Sequence, residues 1–181
     1  PMTADVMEFL KQNGGASRIS GVELNLGFRP SDAWRMEFSW TQQRARFEEN
    51  QLILGDDSLG DPIDNPIFSS TYARTPESLG LLRFFYTGKH FDAFVGGKIT
   101  GPMDVPHIVS DDDGNLVGNR LVSTPWFFNL DVGISREIDL GHAQTLTLTA
   151  GIKNLLDDFQ SDLERGPFRD AGYVYGPAFP R

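Results

Sequence analysis

The chain contains no cysteine among its 181 residues, and it has no apolar run of about 18 residues or more. The first absence excludes disulfides and thiolate metal sites, and it constrains the cellular compartment only weakly. The second absence excludes a transmembrane helix. Basic residues are also few, with 16 Lys and Arg against 25 Asp and Glu. The resulting net charge of −9 argues against nucleic acid as a partner.

Glycine and aromatic residues are plentiful, with 19 glycines and 12% aromatics, which favours β structure with tight turns. The clearest pattern lies in residues 126–156, where apolar residues alternate with polar or small ones along two arms. Such alternation predicts a β-hairpin with one apolar face and one polar face. We place its turn at 139–144. The question is whether the apolar face covers a protein core or meets lipid.

The other alternating segments predict further strands and a regular layout of connections. The strands are expected at 19–28, 34–47, 77–87 and 91–100, with a possible strand end at 5–10. The short connections are 30–33, 88–90 and 139–144, and the long irregular ones are 48–75, 101–124 and 155–175. Short turns at one rim and long loops at the other are typical of an outer-membrane β-barrel. Strands of about ten residues also match the length that tilted strands need to span a bilayer.

This layout predicts which side chains face lipid and which face the lumen. The predicted lipid-facing residues are Trp34, Phe38, Trp40, Phe84, Val95, Trp126, Phe128, Leu130, Val132, Leu146 and Leu148. The predicted lumen-facing residues are Arg35, Glu37, Lys98, Asn129, Asp131 and Lys153. Charges are costly inside a small soluble core but are tolerated in a wide hydrated or plugged barrel. A soluble antiparallel sheet with one solvated face shows the same alternation and stays open as an alternative.

Three stretches resemble the C-terminal part of the barrel of TonB-dependent outer-membrane receptors. They are residues 18–47, residues 128–158 with their Asn-Leu-Leu-Asp ending, and residues 169–181 with Gly-Pro-x-x-Pro-Arg. The resemblance implies an all-β fold: an antiparallel up-and-down transmembrane segment of about six to seven strands, open-edged, from a barrel of about 22 strands. It also implies that residues 1–181 are one partial barrel domain, cut at both ends, without the plug domain and the final strand.

The resemblance further implies uptake of a scarce ligand, of the iron–siderophore, cobalamin or glycan class, and not enzymatic catalysis. The implied partners are membrane lipid, the TonB complex acting through the plug, and a small molecule at the long loops. The implied location is the outer membrane of a Gram-negative type of cell. A small outer-membrane barrel enzyme and a soluble β-sheet binding module are the alternative classes.

The residue patterns that could carry other chemistry are weak, and we expect no cofactor, catalytic or metal site. The acidic stretches 55–64 and 111–115 lack the ligand spacing of a calcium loop. The segment 95–100 contains Gly-Gly-Lys but lacks the rest of a phosphate-binding loop. His107 with Ser110 and Asp111 suggests a hydrolase triad, but neighbours in one loop lack the rigid positioning that such chemistry needs. His90 and His142 are expected at the opposite rim from His107.

Overall fold

The computed structural model describes residues 15–55 and 65–177, and every regular element in these ranges is a β-strand. The strands are β1 (Ser17–Ser31), β2 (Trp34–Leu54), β3 (Ile67–Thr71), β4 (Ser78–Thr87), β5 (Asp92–Thr100), β6 (Asp104–Ser110), β7 (Leu116–Ser123), β8 (Phe127–Gly141) and β9 (Gln144–Ile152). Within the described ranges, no helix is long and apolar enough to cross a membrane.

The strands form one large antiparallel sheet and one small one. The seven-stranded sheet runs in the order β1-β2-β4-β5-β8-β9, and β3 pairs with the far part of β2. Strands β6 and β7 form a separate two-stranded sheet. Each long strand therefore pairs with the long strand that precedes it in the chain. This confirms the predicted all-β, antiparallel, up-and-down architecture.

Connections of different length lie at opposite ends of the large sheet. The turns at 32–33, 88–91 and 142–143 lie at one end, which we call the short-turn end. The opposite, long-loop end carries β3, the β6–β7 hairpin and residues 153–177. The hairpin ends are also staggered. The last β8 residue that pairs with β5 is Ser135, opposite Asp92, but β8 continues to Gly141.

Two predicted loops were wrong, because each contains strand structure. The segment 48–75 is not irregular where it is described: β2 continues through Leu54 and pairs with β3. The polar residues of this segment give no alternating pattern, and backbone pairing with β3 holds the far part of β2 as a strand. The segment 101–124 holds the β6–β7 hairpin, which closes through Asp111–Asn115. The Asp113-Gly114 pair favours a tight hairpin turn, so this segment did carry one hairpin signal.

Several predicted boundaries also shift. Strand β1 begins at Ser17 and continues through Ser31, so its turn is Asp32 and Ala33 rather than 30–33. The hairpin turn predicted at 139–144 narrows to His142 and Ala143, both with positive φ. The possible strand at 5–10 lies outside the described residues. The predicted strands 77–87 and 91–100 are confirmed within one residue at each end.

The strand register separates the side chains of the large sheet into two faces. On one face the rows are mainly apolar, for example Phe28–Met36–Phe84–Val95–Val132–Ile152 across six strands. On the other face the rows contain most of the charges, for example Gly27–Glu37–Arg83–Gly96–Asp131. Because neighbouring residues of a strand point to opposite sides, these rows define an apolar face and a polar face.

Neither face of the large sheet is covered by another layer in the described part of the chain. Every residue of β1 and β9 is exposed, and large apolar side chains such as Phe28, Phe128 and Leu148 are about half exposed. The buried residues gather at the long-loop end instead: apart from Gly80 and Gly101, the buried residues among those described are Ala45, Ser78, Val105, His107, Thr124, Phe127, Gln160 and Tyr173. Soluble domains usually pack at least two layers around a core. The sheet is therefore a single layer with a large uncovered apolar face.

Glycines on the apolar face admit the large side chains of adjacent strands. A methyl group at Gly80 would lie 2.4 Å from the side chain of Ile99 and 2.8 Å from the ring of Trp40. The side chains of Ile99 and Trp40 therefore occupy the space beside Gly80 that a larger residue would need. Gly27, which lies on the polar face, has nothing within 4 Å of the corresponding position.

We predict that Gly80→Val lowers the free energy of unfolding by about 1–3 kcal/mol, because the new side chain overpacks against Ile99 and Trp40. Gly27→Val is the matched control and leaves stability unchanged or slightly raised. Urea titration of the two variants and the parent protein measures the difference. Equal stabilities for the two variants would show that the space beside Gly80 is not closely packed.

Candidate functional site

An ion-pair network occupies the middle of the polar face. The Glu37 carboxylate lies 2.9 Å from Arg83 Nη2 and 3.4 Å from Arg35 Nε. The Arg35 guanidinium also lies 4.2 Å from the centre of the Phe85 ring. The Arg83 guanidinium lies 5.9 Å from the centre of the same ring, so the two cations share one carboxylate and one aromatic ring. Since all these side chains are partly exposed, the network positions the groups more than it stabilises the fold.

A second polar network ends β9 and explains the Asn-Leu-Leu-Asp motif. The Asn154 backbone amide donates to Asp131 Oδ1 at 2.8 Å, and Asn129 Nδ2 donates to Asn154 Oδ1 at 3.0 Å. The Asp158 carboxylate accepts a hydrogen bond from the Phe128 amide at 2.6 Å. Asn154 has a φ of 50°, a left-handed conformation that asparagine tolerates well. The motif therefore turns the chain sharply at the long-loop end and ties it to β8.

The β6–β7 hairpin and residues 154–177 pack together into what we call the loop cluster. The ring of Tyr173 stacks on His107 with ring centres 3.8 Å apart, and both residues are buried. Gln160 is only 2% exposed; it donates to the Tyr173 carbonyl and accepts from the Tyr175 amide. The loop cluster is thus a packed unit with its own small core.

Asp162 and two tyrosines form the main hydrogen-bonded group of the loop cluster. The hydroxyls of Tyr173 and Tyr175 both donate to the Asp162 carboxylate, Tyr173 at 2.7 Å. Burial alone would raise the pKa of Asp162, but these hydrogen bonds outweigh it and hold the pKa below its usual value. Burial and then the bond to Asp162 raise the pKa of Tyr173 to about 12. The same two causes raise the pKa of Tyr175.

The partner of His107 is Glu164, and not Ser110 or Asp111. His107 Nε2 lies 2.8 Å from Glu164 Oε1, and the second oxygen of Glu164 accepts the Asp170 amide at 2.8 Å. Asp170 Oδ2 in turn accepts the Ile108 amide of β6. His107, Glu164 and Asp170 therefore join the hairpin to the last described segment.

The acidic tip of the β6–β7 hairpin is held by its own hydrogen bonds. Asp111 Oδ1 accepts the amides of Asp113 and Asn115, and Asp111 Oδ2 accepts from Asn115 Nδ2. The bonds from Asn115 are the main cause that lowers the pKa of Asp111. Its carboxylate is thus engaged in shaping the turn. Residues 56–64 of the other acidic stretch lie outside the described residues.

Arg74 connects the loop cluster to the start of β4. Its guanidinium donates to the carbonyls of Val174, at 2.9 Å, and of Gly172. Its own backbone amide donates to the Asp104 carbonyl, where β6 begins. One arginine therefore ties together three segments that are far apart in the sequence.

The strand register puts the residues predicted to face lipid and those predicted to face the lumen on opposite faces of the sheet. The predicted lipid-facing residues of the strands are on the apolar face, namely Trp34, Phe38, Trp40, Phe84, Val95, Phe128, Leu130, Val132, Leu146 and Leu148. The predicted lumen-facing residues Arg35, Glu37, Lys98, Asn129 and Asp131 are on the polar face. Trp126 lies just before β8 and Lys153 just after β9, so neither is within a strand as predicted.

Sequence reasoning missed Arg83 and Phe85 on the polar face, and it missed the partners inside the loop cluster. Alternation places Arg83 opposite the row of Leu82 and Phe84, so that signal was present. No local pattern marks the approach of Glu164 to His107, since the two residues are 57 positions apart.

Comparison with known proteins finds no family model that matches this chain and no significantly similar curated protein. The geometry therefore has to carry the functional inference. In residues 15–55 and 65–177, no group of three or more His, Asp or Glu side chains is arranged to hold a metal ion. The described residues provide an ion-pair network beside the Phe85 ring on the polar face and a packed loop cluster at the long-loop end.

We predict that Asn154→Ala opens the turn after β9 more than Asn154→Gly does. Both variants lose the side-chain hydrogen bonds, but only alanine also bears the cost of about 1–2 kcal/mol for the left-handed conformation. Hydrogen exchange of the Phe128 amide, which donates to Asp158, reports the opening. Equal exchange rates in the two variants would contradict the role given to the backbone conformation.

We predict that the loop cluster loosens as pH rises from about 10 to 12. The pKa of Tyr173 is raised to about 12 in the folded state from an ordinary value of 10.0. Its contribution to stability is therefore complete below pH 10 and is lost as pH rises through 12. Absorbance of tyrosinate follows the ionisation of the tyrosines, and the change in absorbance near pH 12 should be absent in Tyr173→Phe. In Asp162→Asn the ionisation of Tyr173 should move toward pH 10. An unchanged titration of Tyr173 in Asp162→Asn would contradict the contribution given to the Asp162 hydrogen bond.

Proposed function

We propose that this chain is part of the transmembrane barrel of a TonB-dependent outer-membrane receptor that takes up a scarce ligand. The single observation that carries the proposal is the single-layer antiparallel sheet with one continuous, uncovered apolar face. Exposed apolar patches of this extent mark an interaction surface or a lipid contact. The proposal makes lipid the occupant of the apolar face.

Aromatic side chains near the short-turn end support lipid as the occupant. Trp34 and Tyr86 have ring centres 4.9 Å apart, and Tyr86 and Phe91 have ring centres 5.2 Å apart. Trp126 is 41% exposed at the opposite end of the sheet. Aromatic residues of this kind are enriched at both membrane–water interfaces. Strands β4 and β5 have ten and nine residues, and tilted strands of about nine to eleven residues span a bilayer.

The layout of the hairpins supports a barrel that is larger than the described sheet. Short turns lie at one end and long loops at the other, as in outer-membrane barrels. The stagger of successive hairpins is the register shift that tilted strands need to close a barrel. Strands β1 and β9 have free edges among the described residues, where further strands would pair.

The polar face and the loop cluster would then carry the functional contacts. Arg35, Glu37 and Arg83 line the lumen in this arrangement, beside Lys98, Asn129 and Asp131. The loop cluster lies on the extracellular side and presents exposed apolar side chains, among them Phe168 and Val174. We propose that the loops contact a small-molecule ligand of the iron–siderophore, cobalamin or glycan class. Energy would come from the TonB complex through a plug domain, as the resemblance implies.

The test of lipid contact compares Val132→Arg with Ser135→Arg in the full-length protein. Val132 lies on the apolar face between Val95 and Ile152, whereas Ser135 lies on the polar face of the same strand, beside Asp92. We expect Val132→Arg to cost about 2–4 kcal/mol in folding into lipid vesicles, as arginine does near the bilayer midplane. Ser135→Arg should fold with nearly the parent free energy, since the lumen is hydrated.

Equal folding yields of both variants in vesicles would contradict the assignment of the faces. A full-length protein that stays monomeric and folded without detergent would favour the soluble binding module instead. The complete reading frame tests the class independently, since a plug domain upstream and a final strand ending in an aromatic residue are expected.

A further inference from the structure

A small groove on the polar face, near the short-turn end, lies between two rows of side chains. One row is Phe85–Phe94–Gly133, and the adjoining row on the same face is Thr87–Asp92–Ser135–Thr149. The groove between them has a volume of about 220 Å³. It is separate from the Glu37 network and from the loop cluster.

Phe94 forms the apolar wall of this groove. Its ring lies directly over Gly133, where a methyl group would come within 2.3 Å of Phe94 Cε1. Phe94 is 40% exposed, although it lies on a face that is otherwise largely polar. Its cross-strand neighbour Phe85 already carries the Arg35 guanidinium. Among the described residues, no guanidinium lies over the ring of Phe94.

Asp92 forms the charged wall. Its Oδ1 is buried and accepts no hydrogen bond from the residues that the structure describes. Within the described ranges, Asp92 also takes part in no ion pair, whereas Arg35 and Arg83 both have Glu37. A buried carboxylate oxygen without a partner is unfavourable unless a donor or cation reaches the group. The hydroxyls of Ser135 and Thr149 add further acceptors beside it.

We propose that this groove binds one organic cation of the size and chemistry of an arginine or lysine side chain. An unpaired carboxylate beside an open phenylalanine ring recognises an organic cation through charge and cation–π contact. The volume is below the roughly 300–1,000 Å³ of sites for drug-sized ligands, and it suits a single long side chain. The inference concerns the polar face and does not require that the apolar face meets lipid.

The test uses the full-length protein with N-acetyl-arginine amide as the probe, followed by NMR signals of Phe94 and Gly133. We expect millimolar binding of this probe, with at least tenfold weaker binding of N-acetyl-citrulline amide, its neutral counterpart. Asp92→Asn should weaken binding of the arginine probe at least tenfold. Glu137→Gln, on the same face but outside the groove, is the matched control and should leave binding unchanged.

If the full-length protein already fills the groove with its own side chain, the probe will not bind. Nuclear Overhauser contacts from a guanidinium or ammonium group to the Phe94 ring are then expected, and they disappear in Asp92→Asn. The proposal is overturned if neither probe binding nor such contacts are seen, or if the arginine and citrulline probes bind equally. The vesicle-folding result for Val132→Arg involves no residue of the groove, so the two proposals fail separately.

Discussion

The structure depends on an apolar face that the described chain itself does not cover. Across β1, β2, β4, β5, β8 and β9, side chains such as Leu26, Phe38 and Leu130 form rows with no second layer against them. In water, burying this surface would be the main driving force of folding. Here the described residues bury very little of it, so the fold as described needs a surrounding phase or partner to be stable. Lipid fits the length, the aromatic ends and the layout of the hairpins together.

The opposite face has a different organisation, and several of its charges form pairs and networks, whereas Asp92 takes part in no ion pair among the described residues. Glu37 forms ion pairs with two arginines. Asp131 accepts a hydrogen bond from the Asn154 amide in the turn that follows β9 at the long-loop end. Burying such charged groups in a dry core would cost much free energy, whereas on a hydrated surface the cost is small. Each strand thus needs apolar side chains on one face and polar side chains on the other, and this is why the alternation in the sequence is so regular.

Much of the fold could be predicted from that alternation, because a period of two fixes both the strand and its faces. The arms around Val132 and Leu146, and the rows of Trp34 and Phe84, follow directly from it. The β6–β7 hairpin was missed because its apolar residues occur as adjacent pairs, such as Ile108 with Val109 and Leu121 with Val122, and do not alternate with polar ones. The far part of β2 was missed because a ladder with β3 holds a segment that has no clear pattern of its own.

The loop cluster could not be predicted, because its contacts join residues far apart in the chain. Arg74 reaches the carbonyl groups of residues 172 and 174, and His107 reaches Glu164. No periodicity or spacing encodes such contacts, since they depend on how three long loops meet above the sheet. Their buried polar atoms are nevertheless well satisfied, which indicates a packed unit and not three independent loops.

The central claim, that one face of the sheet meets lipid and the other water, is tested most directly by spin labels placed along β8. Residues 1–181 contain no cysteine. Once any cysteine elsewhere in the full-length protein is replaced by serine, single cysteines introduced at positions 128–135 would each carry one label. In vesicles containing the full-length protein, collisions with oxygen should be frequent at even positions and collisions with a polar nickel complex frequent at odd positions. Alternation in the opposite sense, or no alternation at all, would contradict the account.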